Sequence, residues 1–152
     1  EKSEQEPLKV WGHLENGKII KAESPVITAQ CFRVACLDGH MAAVFMKFQD
    51  GSKPSIEQIK ADWAAFRGPA QELELPSAPK QFLHYFEEDN RPQTKLDRNL
   101  EHGMAISLGR LREDSQYDYK FVGLSHNTLR GAAGGAVLLA ELLCAKGYIE
   151  AK

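Results

Sequence analysis

Residues 31–48 read CFRVACLDGHMAAVFMKF, with Asp38-Gly39 set between two apolar runs. Asp-Gly in that setting predicts a β-hairpin, because glycine tolerates φ > 0 and aspartate can bond its own backbone. After the turn, His40, Ala42, Val44, Met46 and Phe48 share one face at period two. Before it, Ile27, Ala29, Cys31 and Arg33 do the same. This reading sets Arg33 and His40 at the ends of neighbouring strands, within reach of one ligand. An arginine can hold a carboxylate in a fork of N–H donors while a histidine moves a proton beside it. The plainer alternative is a surface arginine and a hydrogen-bonded histidine beside a turn.

Outward from that stretch, the 152 residues suffice for one domain with its own core. Hydrophobic content of 43% and charged content of 26% are ordinary for a globular protein. A net charge of −2 leaves no electrostatic footprint for nucleic acid or an anionic membrane. No apolar run approaches the length of a membrane span, and no secretory leader is expected. Cys31, Cys36 and Cys144 are odd in number and lack metal-ligand spacing. Reduced thiols in a cytoplasmic setting are the expectation, with no metal site. The opening EKSEQE, without methionine, reads as cut from a longer chain.

The remaining elements follow from periodicity and turn chemistry. Residues 3–14 are expected to form a helix, with Pro7 in its first turn or at a kink. A turn at Glu15-Asn16-Gly17-Lys18 leads into a short strand at Ile19 and Ile20. Pro25 breaks the chain, and residues 26–35 are the first long strand. Residues 49–52 form a loop. Ser55 then caps a helix whose Ile56, Ile59, Trp63 and Phe66 make a core-facing stripe. Residues 68–79 are a connector, with a short strand at 72–75 as one option. Phe82, Tyr85 and Phe86 form an aromatic cluster before a solvated acidic run at 87–89. Residues 89–100 are polar and read as a loop able to wrap a partner subunit. Strands at 104–112 and 117–124 flank a turn at 113–115. Ser125-His126-Asn127 is a polar junction into a last helix at 128–146, closed by Gly147. Within that helix GAAGGA matches neither a Walker loop nor GxGxxG, so close packing through small residues is the favoured reading, with contact chemistry at Asn127. The fold class is α+β: a mixed or antiparallel sheet with helices packed on one face.

Several separated blocks carry a family resemblance. CFRVACLDGHMAAVFMKF, LPSAPKQ at 75–81, RPQTKLDR at 91–98, GMAISLGRLR at 103–112 and KFVGLSHNTLRGAAGGAVLLAELLCAKGYI at 120–149 resemble the aspartate-semialdehyde dehydrogenases, in the fungal and archaeal-type branch. The resemblance implies the C-terminal domain of a glyceraldehyde-3-phosphate-dehydrogenase-like enzyme, preceded elsewhere by an NADP-binding domain. It implies reductive dephosphorylation of L-aspartyl 4-phosphate to L-aspartate 4-semialdehyde with NADPH, toward lysine, methionine, threonine and isoleucine. His40 matches the proton shuttle and Arg33 the residue that grips the substrate carboxylate. Lys2 matches a lysine that assists phosphate, and Asn127 a position reaching back to the cofactor. The accompanying glutamate lies upstream of that lysine, so its role is not carried to Glu1. The family's catalytic cysteine matches none of the three here, Cys36 stands for a small apolar residue, and Ala35 replaces a usual proline.

The 152 residues alone are therefore expected to bind substrate poorly and to catalyse nothing. A homodimer through the sheet is expected, with a tetramer left open. Two alternatives remain: a stand-alone interaction domain that kept the fold, and an enzyme acting on another acyl phosphate.

Overall fold

The computed structural model describes residues 2–49 and 51–150. Contacts divide the chain into two units, Glu1–Ala35 and Cys36–Lys152.

The first unit opens with helix α1 (Lys2–Val10), which buries none of its residues. Pro7 lies inside this helix, beyond its first turn. A hairpin of β1 (His13–Glu15) and β2 (Lys18–Ile20) follows, with Glu15 opposite Lys18. Its turn residues Asn16 and Gly17 have φ of 49° and 75°, the left-handed pair that a two-residue turn of matching twist requires. The predicted turn and strand are thus found. The hairpin is tied to α1 by the Ala22 N–H on the Leu8 carbonyl at 2.9 Å and by Lys21 Nζ on Gln5 Oε1 at 2.8 Å. The expected strand at 26–35 does not form. That segment is irregular, and Val26, Phe32 and Val34 are among the most exposed apolar side chains of the chain. Its anchors within the unit reach back to α1: the Ala29 N–H on Glu4 Oε1 at 2.9 Å and Ser3 Oγ beside Cys31 Sγ at 3.8 Å.

The second unit is built on a four-stranded sheet in the order β3-β6-β5-β4. Its strands are β3 (His40–Met46), β4 (Leu83–Phe86), β5 (Ile106–Glu113) and β6 (Tyr119–Ser125). β3 and β5 lie antiparallel to β6 on either side, and β4 runs parallel to β5. The Asp38-Gly39 hairpin is thereby corrected: the second run is a strand, but its partner is β6, more than seventy residues on. Asp-Gly licenses a reversal without choosing a partner, and seven consecutive rungs between His40–Met46 and Tyr119–Ser125 outweigh the local option.

One sheet face carries Met46, Tyr85, Leu111, Tyr119 and Phe121, on which α2 (Ile56–Ala65) packs Ile56, Ile59 and Trp63. Trp63 lies between Tyr85 and Phe121, with centroids at 5.8 and 5.1 Å. Burying Ile59 alone contributes about 2 kcal/mol. Ser55 caps α2 through Oγ on the Gln58 N–H at 3.1 Å, as expected, while the Gln58 side chain turns to Asp62. Phe66 ends the stripe half exposed, stacked on Phe82. Tyr119 Oη donates to the Pro54 carbonyl at 2.6 Å, pinning the entry to α2 onto β6.

The connector at 68–79 holds a short helix, α3 (Pro69–Glu72), rather than a strand. A second cluster of Leu75, Met104 and Leu138 joins it to the final helix, α5 (Gly134–Ala145). The last helix begins as expected but with a wide first turn over Leu129–Ala133, closed by i→i−5 bonds such as Gly131 N–H on the His126 carbonyl at 3.0 Å. The small-residue run is a packing device. A Cβ on Gly134 would sit 2.6 Å from Met104 Sδ, and one on Gly135 2.5 Å from the Arg130 carbonyl. Gly147 ends the helix at φ 74°, in the C-cap role assigned to it.

The polar stretch after β4 is not a free loop. It crosses the face of β5 opposite α2 as a strap containing α4 (Thr94–Asp97). Gly109 lets it cross, since a Cβ there would lie 2.5 Å from the Arg91 carbonyl. Buried Asp97 holds the strap together, accepting from the Arg91 guanidinium and from the Gln93 N–H at 2.7 Å. Burial pushes the Asp97 carboxyl up, but the Arg91 and Gln93 hydrogen bonds and the Arg91 charge outweigh it and hold the group below its ordinary value. Of the loop expected at 49–52, Asp50 lies outside the described residues, as does Glu1.

Candidate functional site

β3 begins at His40, which pairs with Ser125 at the last rung of β6. Its side chain is exposed, on the face shared with Met46 but at the other end of the strand. Beyond Ser125 the chain leaves the sheet. His126 is buried and its Nδ1 accepts the backbone N–H groups of Thr128 and Leu129, each at 3.2 Å. Those are orphan donors of a helix start, so His126 does the work of a capping side chain. An Nδ1 that accepts places the imidazole proton on Nε2. Sequence reasoning marked this junction as polar but did not foresee an imidazole in the capping role, which serine, threonine, aspartate and asparagine usually fill.

Asn127, half buried, turns its carboxamide back to the sheet. Its Oδ1 accepts the Gly39 N–H at 2.8 Å. The structure therefore brings two of the sequence-selected residues, His40 and Asn127, to one end of the β3–β6 pair. Lys2 and Arg33 belong to the first unit. Lys2 is the exposed first residue of α1, and Arg33 lies exposed on the irregular segment. The hairpin that was to set Arg33 opposite His40 is absent, so that argument for their nearness falls.

The three thiols are free and exposed. Cys36 Sγ reaches the Gly39 carbonyl at 3.7 Å, a weak contact. Among the described residues no group of histidine, cysteine and carboxylate side chains could hold a metal ion. No described helix is long and apolar enough to cross a membrane. Arg130, at the start of the last helix, stacks on Phe82 with its guanidinium carbon 4.4 Å from the ring centroid, and burial pushes its pKa down. An apolar notch of about 250 Å³ lies at the Met46 end, lined by Phe48, Ile59, Trp63 and Phe121. It belongs to the α2 core and stands at the opposite end of β3 from His40.

Comparison with known proteins decides the family. Residues 1–130 match the model of the semialdehyde dehydrogenase dimerisation domain. The chain belongs to that family. It is 42% identical to the aspartate-semialdehyde dehydrogenase of Saccharomyces cerevisiae over 98% of its own length and 42% of the yeast protein. It is 41% identical to the enzyme of that name from Methanothermobacter thermautotrophicus, over 94% of this chain and 41% of that protein. The crystal structure of aspartate semialdehyde dehydrogenase with NADP from Candida albicans superposes with a TM-score of 0.87 at 38% identity, covering 97% of this chain and 42% of that one. This semialdehyde dehydrogenase dimerisation domain thus spans about two fifths of the length of the curated relatives it matches.

Proposed function

We propose that this domain serves an aspartate-semialdehyde dehydrogenase, reducing L-aspartyl 4-phosphate to L-aspartate 4-semialdehyde with release of phosphate. The observation that supports this reading most directly is the match to like-named enzymes over nearly the whole chain, at about 40% identity. In the proposed reaction His40 moves the proton, and its place as an exposed side chain at a strand end suits access to substrate. Arg33 grips the substrate carboxylate with its guanidinium fork, and Lys2 meets the phosphate. Bound NADPH supplies the hydride. Of the residues here only Asn127 is assigned to the cofactor; with Oδ1 engaged on Gly39, its NH₂ group is the part that can meet it. The acyl-accepting thiol is not assigned to Cys31, Cys36 or Cys144.

Self-association belongs to the same reading, consistent with the family's description as a dimerisation domain. Met41 and Phe45 are half exposed on the β3 face turned away from α2. A second copy is their proposed cover, and Phe45→Asp is expected to shift sedimentation equilibrium toward monomer.

The test of the activity is the complete gene product that carries this chain, assayed for NADP reduction with L-aspartate 4-semialdehyde and phosphate. His40→Asn is expected to lower kcat by roughly 10²- to 10⁴-fold, the contribution of a positioned acid–base group. Arg33→Lys is expected to act chiefly on KM for the semialdehyde. No turnover in the parent protein, or an unchanged kcat in His40→Asn, would overturn the assignment.

A further inference from the structure

The peptide before His40 is held by a side chain from the start of the last helix. In the β3–β6 ladder His40 faces Ser125 at the last rung, and Gly39 lies just before it. Beyond that rung the chain turns into the last helix, where the His126 carbonyl accepts the Gly131 N–H. From that helix start Asn127 Oδ1 reaches back and accepts the Gly39 N–H at 2.8 Å. Gly39 itself is buried with φ of 106°, and a Cβ on it would lie 3.1 Å from Leu124 Cδ1 and 3.2 Å from Thr94 Cγ2. The glycine is therefore enclosed by β6 and by the strap, and its one outward donor is fixed by Asn127. Because the partner is a donor, the orientation of the carboxamide is settled: oxygen toward Gly39, nitrogen away from it.

We propose that Asn127 is a positioning residue for His40, acting through Gly39. Its oxygen fixes the peptide that carries His40 into β3, and its nitrogen is left for the cofactor contact proposed above. One side chain then ties the proton-moving residue to the start of the last helix. This deepens the proposed function and rests on His40 as the proton shuttle.

The two halves of the carboxamide can be separated by substitution in the complete gene product. Asn127→Ala removes both, and Asn127→Asp keeps an acceptor for Gly39 but loses the donor. Asn127→Ala is expected to lower kcat by about 10- to 100-fold, since small misplacements of reacting groups cost that much. Asn127→Asp is expected to recover most of that kcat while KM for NADP stays raised. Amide hydrogen exchange at Gly39 supplies a readout independent of turnover: faster in Asn127→Ala, near parent in Asn127→Asp. The proposal is overturned if Asn127→Asp loses as much kcat as Asn127→Ala, if Asn127→Ala raises KM for NADP with kcat intact, or if Gly39 exchange is unmoved in both. His40→Asn separates the underlying reading: an undiminished kcat there sinks the proton-shuttle role, while Gly39 exchange still reports whether Asn127 holds the turn.

Discussion

The two units of this chain are held by different forces. Among the described residues of the first, none is buried, and the hairpin and helix are joined by hydrogen bonds between groups that are exposed or half buried. The second contains the buried apolar side chains of the described residues, six of them gathered in two clusters. Exposed hydrogen bonds contribute little net free energy because water competes for both partners. Burial of apolar area is what offsets chain entropy. The contrast teaches that regular secondary structure is no measure of stability here: α1 and the β1–β2 hairpin are well formed yet rest on nothing buried.

That contrast can be broken first at the strap. Asp97→Ala leaves the Arg91 guanidinium and the Gln93 N–H without their shared acceptor, and a cost of about 3 kcal/mol is expected. Urea unfolding of the protein measures it; a loss below about 1 kcal/mol would mean that water replaces the carboxylate and the strap is not held from within. Next comes a paired test of the core. Leu124→Ala, at 2% exposure, is expected to cost about 3 kcal/mol. Val26→Ala, at 92% exposure, should stay within about 0.5 kcal/mol. Similar losses at both sites would contradict the division between the units. The smallest effect lies at the β5–β6 turn. The Lys120 hydrogen bond, the Gln116 and Tyr117 N–H groups and the Lys120 charge hold the Asp114 carboxyl down at about 2. A carboxyl lowered on folding stabilises above its ordinary value of 3.8 and loses that contribution as pH falls toward about 2. Asp114→Asn should flatten the acid limb of the stability profile in that window and leave neutral pH little changed, as thermal unfolding between pH 2 and 5 can check.

Most of the second unit was legible from sequence because its signals are local. The Ser55 cap, the Ile56-Ile59-Trp63 stripe, the alternation around Leu108 and the Gly147 cap each depend on neighbours within a turn or two. The α+β class followed from their order. What was not legible depends on partner choice. Asp38-Gly39 promised a reversal, but nothing within residues 31–48 says that β3 prefers β6. Leu83–Phe86 read as an aromatic cluster because four half-buried residues show no alternation, and its parallel pairing with β5 has no short-range signature. The strap read as a polar loop able to wrap a partner subunit, because nothing local shows that Arg91 pairs inward with Asp97. At the site, His40, Arg33, Lys2 and Asn127 came from the resemblance and from strand-end placement. The Asn127–Gly39 bond was out of reach, because it spans 88 positions and no short-range pattern marks it.

The place of β3 in the sheet also bears on the order of assembly. β5 and β6 meet across a short turn, whereas β3 joins β6 only after a long stretch of chain has closed. Loop-closure entropy puts the short-range pair first and the distant strand later. β3 is also an edge strand, bonded within the sheet to β6 alone. The residue proposed to move the proton therefore sits on a late-arriving strand, which is also the one best placed to peel away in native-state fluctuations. Its working geometry is a kinetic property of the sheet edge as much as a property of the folded average, and Asn127 is the clasp at the end where that edge would begin to open.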